Sequence, residues 1–195
     1  MKTADEYYQD IEPLIQNGWY SAAIDALQQL LQVKPNFARG YYELGTLHYK
    51  HNDKEKVLEC YKKCHELDPQ NIGYLKSLAD FYHAELEQIE PALGYDKKII
   101  DMGTDDAEIL FIAANLCVAL HNCEDAMIYY QKVLEIEPWH SEAFEYLEKI
   151  KNHQKSLSKT VSADELLQKS HEAGATGDIE AAIALLKQVI EQFPD

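Results

Sequence analysis

The stretch from Ala38 to Asn71 can be laid over the residues before and after it with almost no gaps. Within it, Tyr41, Leu44, Gly45 and His48 fall on one helical stripe, and a glycine-free polar turn occupies His51 to Lys54. Val57 and Tyr61 then begin a second stripe, and Pro69 closes the unit. Closing prolines carry the period along the chain: Pro35 and Pro69 lie 34 residues apart, and Pro138 lies 69 beyond Pro69, two units of 34 plus one inserted residue. A unit this short cannot bury an apolar face alone and gains a continuous core only by stacking on its neighbours. The chain is therefore an array, and its 195 residues set a repeat count rather than a domain count.

The first unit, about 4–37, places Tyr7, Ile11 and Leu14 on one helix and Ala23, Leu27 and Leu30 on the next. Between them Gly18 supplies the positive φ of a short turn, and Pro35 stops the second helix. Pro13 removes one hydrogen bond from the first helix, at about 3 kcal/mol in an ideal interior, which predicts a kink or a frayed first turn. The second unit is 38–71. The third, about 72–106, opens with Leu75, Leu78, Ala79 and Tyr82 and then runs through His83 to Gln88 without a glycine. The inserted residue belongs here, and the second helix is expected to restart at Glu90 or Pro91. The fourth unit, about 107–140, returns to register with Leu110, Ala113, Ala114 and Cys117, then Ala126, Tyr130, Val133 and Ile136.

Beyond Pro138 the pattern changes. Phe144 and Leu147 continue it, but Glu148 takes a position that is small and buried elsewhere, so 141–154 reads as a capping helix that completes an array over 1–154. The Ser-rich run 155–162 reads as a linker, and Ser162 with Glu165 forms a capping box that starts the next helix. Residues 163–195 make a further helix pair, out of step with the others, with Ala182, Leu186 and Val189 on its second helix. An isolated pair leaves an apolar face open, so a homodimer through 163–195 is one expectation.

Composition narrows the function. With 34 acidic and 18 basic side chains the formal net charge is −16, which argues against a nucleic acid partner, since binding to phosphate backbones needs a cationic surface. Four cysteines, no apolar run of membrane-span length and no signal peptide after Met1 predict a cytoplasmic chain that does not enter a membrane. Cys60, Cys64 and His65 share a helix at a spacing that can offer two thiolates to zinc, but no second pair stands at finger-like spacing. Free cysteine is a habitual small core residue, so no metal site is assigned. Gly174, Gly177 and Asp178 do not follow a strand and read as a helix-pair turn rather than a phosphate loop. No nucleophile with base and orienting group is evident, and no cofactor is implied.

An aromatic followed by Leu-Gly, then an aromatic slot, a small residue, a second aromatic and a closing proline, repeated in one register, resembles the tetratricopeptide repeat family. Units one, two, four and six match, the third matches with an insertion, and the fifth matches in its first helix only. The resemblance implies an all-α fold, a right-handed superhelix or α-solenoid of antiparallel helix pairs, whose first helices line a concave groove that binds peptides or protein segments. On that template the groove positions are Tyr8 and Glu12, then Arg39, Tyr42, Thr46 and Tyr49, then Lys76, Asp80 and His83, then Phe111, Asn115 and Val118. The competing role for each aromatic is packing on the neighbouring repeat. One subfamily grips a C-terminal carboxylate with Lys, Asn and Arg; here those positions hold Tyr8, Glu12, Glu43, Gly73 and Ser77, so that clamp is absent. The resemblance thus implies a non-catalytic interaction scaffold. The alternative is the N-terminal recognition region of a longer enzyme, such as a glycosyltransferase or methyltransferase, since the chain ends on a repeat boundary.

Overall fold

The computed structural model describes residues 3–193, apart from the side chains of 157–162. Among the described residues the regular structure is helical: α1 (Ala4–Gln16), α2 (Tyr20–Val33), α3 (Ala38–Lys50), α4 (Lys54–Leu67), α5 (Ile72–Asp80) with a π-helical turn at Phe81–Glu85, α6 (Ile89–Asp101), α7 (Ala107–Ala119), α8 (Cys123–Ile136), α9 (Ser141–Ala175) and α10 (Ile179–Gln192). Residues cluster into two compact units, Met1–Lys132 and Val133–Asp195.

Polar residues ahead of several helices satisfy amide groups that have no intrahelical acceptor. Thr3 and Glu6 close a capping box on α1, with Thr3 N donating to Glu6 Oε2 at 2.7 Å and Glu6 N to Thr3 Oγ1 at 3.2 Å. The first turn is therefore fixed rather than frayed, and Pro13 falls in the last turn, where Asn17 Nδ2 donates to its carbonyl at 2.8 Å. Asp53, Asn71, Asp106 and Asp178 cap α4, α5, α7 and α10 in the same manner.

Turns inside the helix pairs use a left-handed residue, but only two of these are glycine. Gly18 and Gly177 have φ of 77° and 85°, whereas Asn52, Glu87 and His121 occupy the same region at 58°, 53° and 57°. Backbone hydrogen bonds close the turns at Glu87 and His121, both exposed: Gln88 N donates to Tyr82 O at 2.9 Å and Asn122 N to Cys117 O at 2.8 Å. At Gly45 the constraint is contact: a Cβ would stand 2.7 Å from the Tyr61 ring, so helices α3 and α4 approach over a bare backbone. In unit Met1–Lys132 one core cluster gathers Tyr8, Ile11, Leu27, Leu30, Leu44 and Leu47, and a second gathers Leu75, Ile99 and Ile109.

The third repeat departs from the others as the insertion predicts, in a specific way. Leu86 N donates to Phe81 O at 3.2 Å, an i to i+5 bond, so the extra residue is absorbed as a π-helical turn at the end of the first helix. The second helix then begins at Ile89, slightly ahead of the expected start, with Pro91 in its first turn.

In unit Val133–Asp195 the linker expected over 155–162 is helical. Helix α9 runs through it without a break and is roughly 50 Å long at 1.5 Å per residue. The run holds neither Gly nor Pro, so serine content alone does not interrupt the backbone hydrogen bonds. Ser162 consequently lies inside a helix instead of starting one. Phe144 is 59% exposed, unlike the buried Leu147 beside it. Helix α10 packs on α9 through a close approach at Ser170, which is buried and donates from Oγ to Ala182 O at 3.2 Å.

Candidate functional site

The groove positions of the repeat template lie on α1, α3, α5 with its π-helical turn, and α7, all within Met1–Lys132. Several of them pack on neighbouring repeats. Tyr8 is buried, the Arg39 guanidinium sits 4.2 Å from its ring centroid, and burial with the Glu43 carboxylate pushes its phenol up to about 12. Tyr42 stacks on Tyr61 at 5.7 Å and meets Tyr74 at 5.3 Å, while its carbonyl accepts from Thr46 Oγ1 at 3.1 Å. Phe111 packs against Tyr130 at 5.8 Å, and Asn115 Oδ1 accepts from the Tyr130 hydroxyl at 2.5 Å. Lys76 reaches forward to the next repeat, 3.0 Å from Glu108 and 3.9 Å from Asp106.

The exposed template positions are Tyr49 at 49%, Asp80, His83, Val118 at 40%, and Arg39, whose guanidinium lies over Tyr8. Tyr49 and Asp80 belong to an open pocket of about 200 Å³, whose other walls are Tyr61, Ser77, Phe81, Ala84 and Glu85. The Phe81 ring stands edge-on to Tyr49 at 6.4 Å and to Tyr61 at 6.0 Å. Glu85 Oε1 accepts from the Tyr49 hydroxyl at 2.7 Å, and Lys54 Nζ lies 3.0 Å from Glu85 Oε2 and donates to the Glu85 carbonyl at 2.7 Å. These bonds hold the Glu85 carboxyl below its ordinary range. Asp80 forms no hydrogen bond or ion pair among the described residues, and burial raises its carboxyl despite the pull of Lys76 and His83.

The sequence reading names Tyr49 and Asp80 as groove positions and does not name Phe81, Ala84 or Glu85, which lie in the π-helical turn. The inserted residue is the one signal that marks that turn. The reading also misses Asp96 of α6, a buried carboxyl with an unpartnered Oδ2, which burial and then Asp80 push up to about 7. Cys60 and Cys64 are buried thiols, raised by burial to about 11 and about 12, and Cys64 Sγ donates to Tyr61 O at 3.1 Å. They are core residues, not thiolates poised for metal. A larger cleft of about 650 Å³ beside α4 includes Lys56 and Lys63, both already paired, with Asp53 at 2.7 Å and Glu66 at 3.0 Å. Among the described residues no helix is long and apolar enough to cross a membrane.

Three repeat models match this chain: a tetratricopeptide repeat over residues 38–71, a TPR repeat over 14–52 and a further tetratricopeptide repeat over 161–195. The chain belongs to the tetratricopeptide repeat family. Among curated proteins it is similar to the photosystem I assembly protein Ycf3 of Rippkaea orientalis, 33% identical over 91 residues, a match covering 45% of this chain and 52% of that protein. The chain thus spans about half the length of that relative. Among solved structures it resembles YrrB, described as a TPR protein with an unusual peptide-binding site, at 17% identity and a TM-score of 0.62, over 99% of this chain and 88% of that one. It also resembles the first TPR of Spaghetti (RPAP3) bound to the HSP90 peptide SRMEEVD, at 24% identity and a TM-score of 0.50, over 60% of this chain and 93% of that one. Both likenesses are of fold.

Proposed function

We propose that this chain is a non-catalytic interaction scaffold that holds a peptide or an extended protein segment against α3, α5 and α7. One observation carries the reading: Tyr49 and Asp80 are exposed and line a pocket, with His83 exposed in the adjoining π-helical turn. Tyrosine is among the residue types enriched at binding hot spots. Relatives that bind or assemble other proteins support the reading, and the glycosyltransferase or methyltransferase alternative finds no support among them. The peptide SRMEEVD, bound by the Spaghetti repeat, is not the ligand proposed, because the positions of a carboxylate clamp hold Tyr8, Glu12, Glu43, Gly73 and Ser77. Four unpaired cysteines favour a reducing, cytoplasmic setting.

Selection of random twelve-residue peptides on the full chain, followed by fluorescence anisotropy, tests this proposal. Tyr49→Ala with Asp80→Asn is expected to weaken selected peptides by about tenfold or more without shifting thermal unfolding, as for a hot-spot pair. Unchanged binding in that variant places the ligand elsewhere. A second proposal concerns α10, where Ile179, Ile183, Leu186 and Ile190 recur on one face and are all exposed. This stripe joins a second copy of the chain.

A further inference from the structure

The pocket of about 200 Å³ is smaller than the range of about 300–1,000 Å³ usual for small-molecule sites, and it matches a single side chain of a longer ligand. Both charged residues in its lining, Asp80 and Glu85, are acidic. Their situations differ. Glu85 is already satisfied by Tyr49 and Lys54, whereas Asp80 has no hydrogen bond or ion pair among the described residues. The nearest cation on its own helix, Lys76, is drawn to Glu108 and Asp106 instead. Tyr49, Tyr61 and Phe81 supply aromatic walls, and aromatic rings beside a carboxylate favour a planar cation.

Resting on the groove reading, we infer that this pocket takes the guanidinium of an arginine in the bound segment, paired with Asp80 and packed against Tyr49, Tyr61 and Phe81. The π-helical turn Phe81–Glu85 contributes Phe81, Ala84 and Glu85 to the lining, and π-helical turns recur at functional positions. Charge complementarity extends beyond the pocket, since a chain of net charge −16 attracts a basic segment before contact. The partner is accordingly a basic protein segment, the opposite of the acidic tails gripped by a carboxylate clamp.

The test is an NMR titration of the full chain, followed at backbone amides, with four capped amino acids: the N-acetyl, N-methylamide forms of arginine, lysine, norleucine and glutamate. Arginine is expected to move the amides of Ser77 to Glu85 saturably, lysine more weakly, and norleucine and glutamate not at all. Asp80→Asn, an exposed and nearly isosteric change, should lower arginine affinity by about fivefold or more with helix content unchanged. Norleucine binding as tightly as arginine, or arginine binding unaltered in Asp80→Asn, overturns the inference. The groove reading is scored apart. Random peptides that bind without enrichment in arginine and are indifferent to Asp80→Asn leave the groove standing and remove the subsite, whereas an arginine response at these amides with no peptide selected supports the subsite and removes the groove.

Discussion

Helices α4 and α6 hold equivalent places in successive repeats. Each has a fully buried small or branched residue, Val57 or Ala92, and four residues later a side chain directed into the repeat interior. In α4 that residue is Tyr61, whose ring contacts Tyr42 and Phe81 and lines the pocket. In α6 it is Asp96, 4% exposed, with an oxygen that no described group satisfies. Leu27 and Tyr130 fill the slot in α2 and α8 and are likewise buried. A packing slot in a repeat array thus tolerates opposite chemistries, and the difference shows up in how stability responds to substitution and to pH.

The largest effect is expected at Tyr61. Tyr61→Ala removes a buried ring that other rings cannot replace, and a loss of about 3–5 kcal/mol is expected from large-to-small core substitutions, read as a lower urea midpoint. Asp96→Asn should act in the opposite direction and only at higher pH. Burial, with Asp80 adding to it and Lys76 opposing, lifts the folded carboxyl from its ordinary 3.8 to about 7. Its contribution is fully present below the unfolded value, declines as pH rises between the two, and is lost above about 7, where the buried group must ionise. At about 1.36 kcal/mol for each pH unit in that window the wild-type chain loses up to about 4 kcal/mol. Asp96→Asn cannot ionise, so its stability should match wild type at pH 4 and exceed it at pH 8. Parallel profiles for the two chains would show that Asp96 is ionised throughout.

The period and helix pairs are legible in the sequence because they follow from apolar spacing and closing prolines, which survive even where the turn lacks glycine. The same register places Tyr49 on α3 and Asp80 on α5. What escapes is set by neighbours in three dimensions. A lone carboxylate in an amphipathic helix reads as solvated, and nothing local distinguishes Asp96 from Asp101 or Glu90. Glu87 adopts positive φ in a turn closed by backbone hydrogen bonds, which its residue type does not announce. The insertion in the third repeat is visible, but its absorption as a π-helical turn, whose Phe81, Ala84 and Glu85 line the pocket, depends on where the following helix packs. The segment 155–162 misleads in the other direction: its composition resembles a linker, yet no breaker stops the helix.

The same slot on α10 sharpens the comparison from its weak end. Leu186 follows Ala182 by four residues, as Tyr61 follows Val57, but it is 42% exposed and shares the open stripe with Ile179, Ile183 and Ile190. Within one chain, Leu186→Asp with Ile190→Asp therefore removes little buried surface, and below about 1 kcal/mol is expected when unfolding is followed at high dilution, in line with surface substitutions. The consequence should appear in mass instead. With the stripe joined to a second copy, light scattering should give two chains of 22.4 kDa for the wild type and one for the double variant. A single chain in both removes the dimer. A dimer in both moves its interface away from α10. A large stability loss in the variant at high dilution would mean that the stripe is already covered within the chain, and that the slot in α10 is filled much as it is in α4.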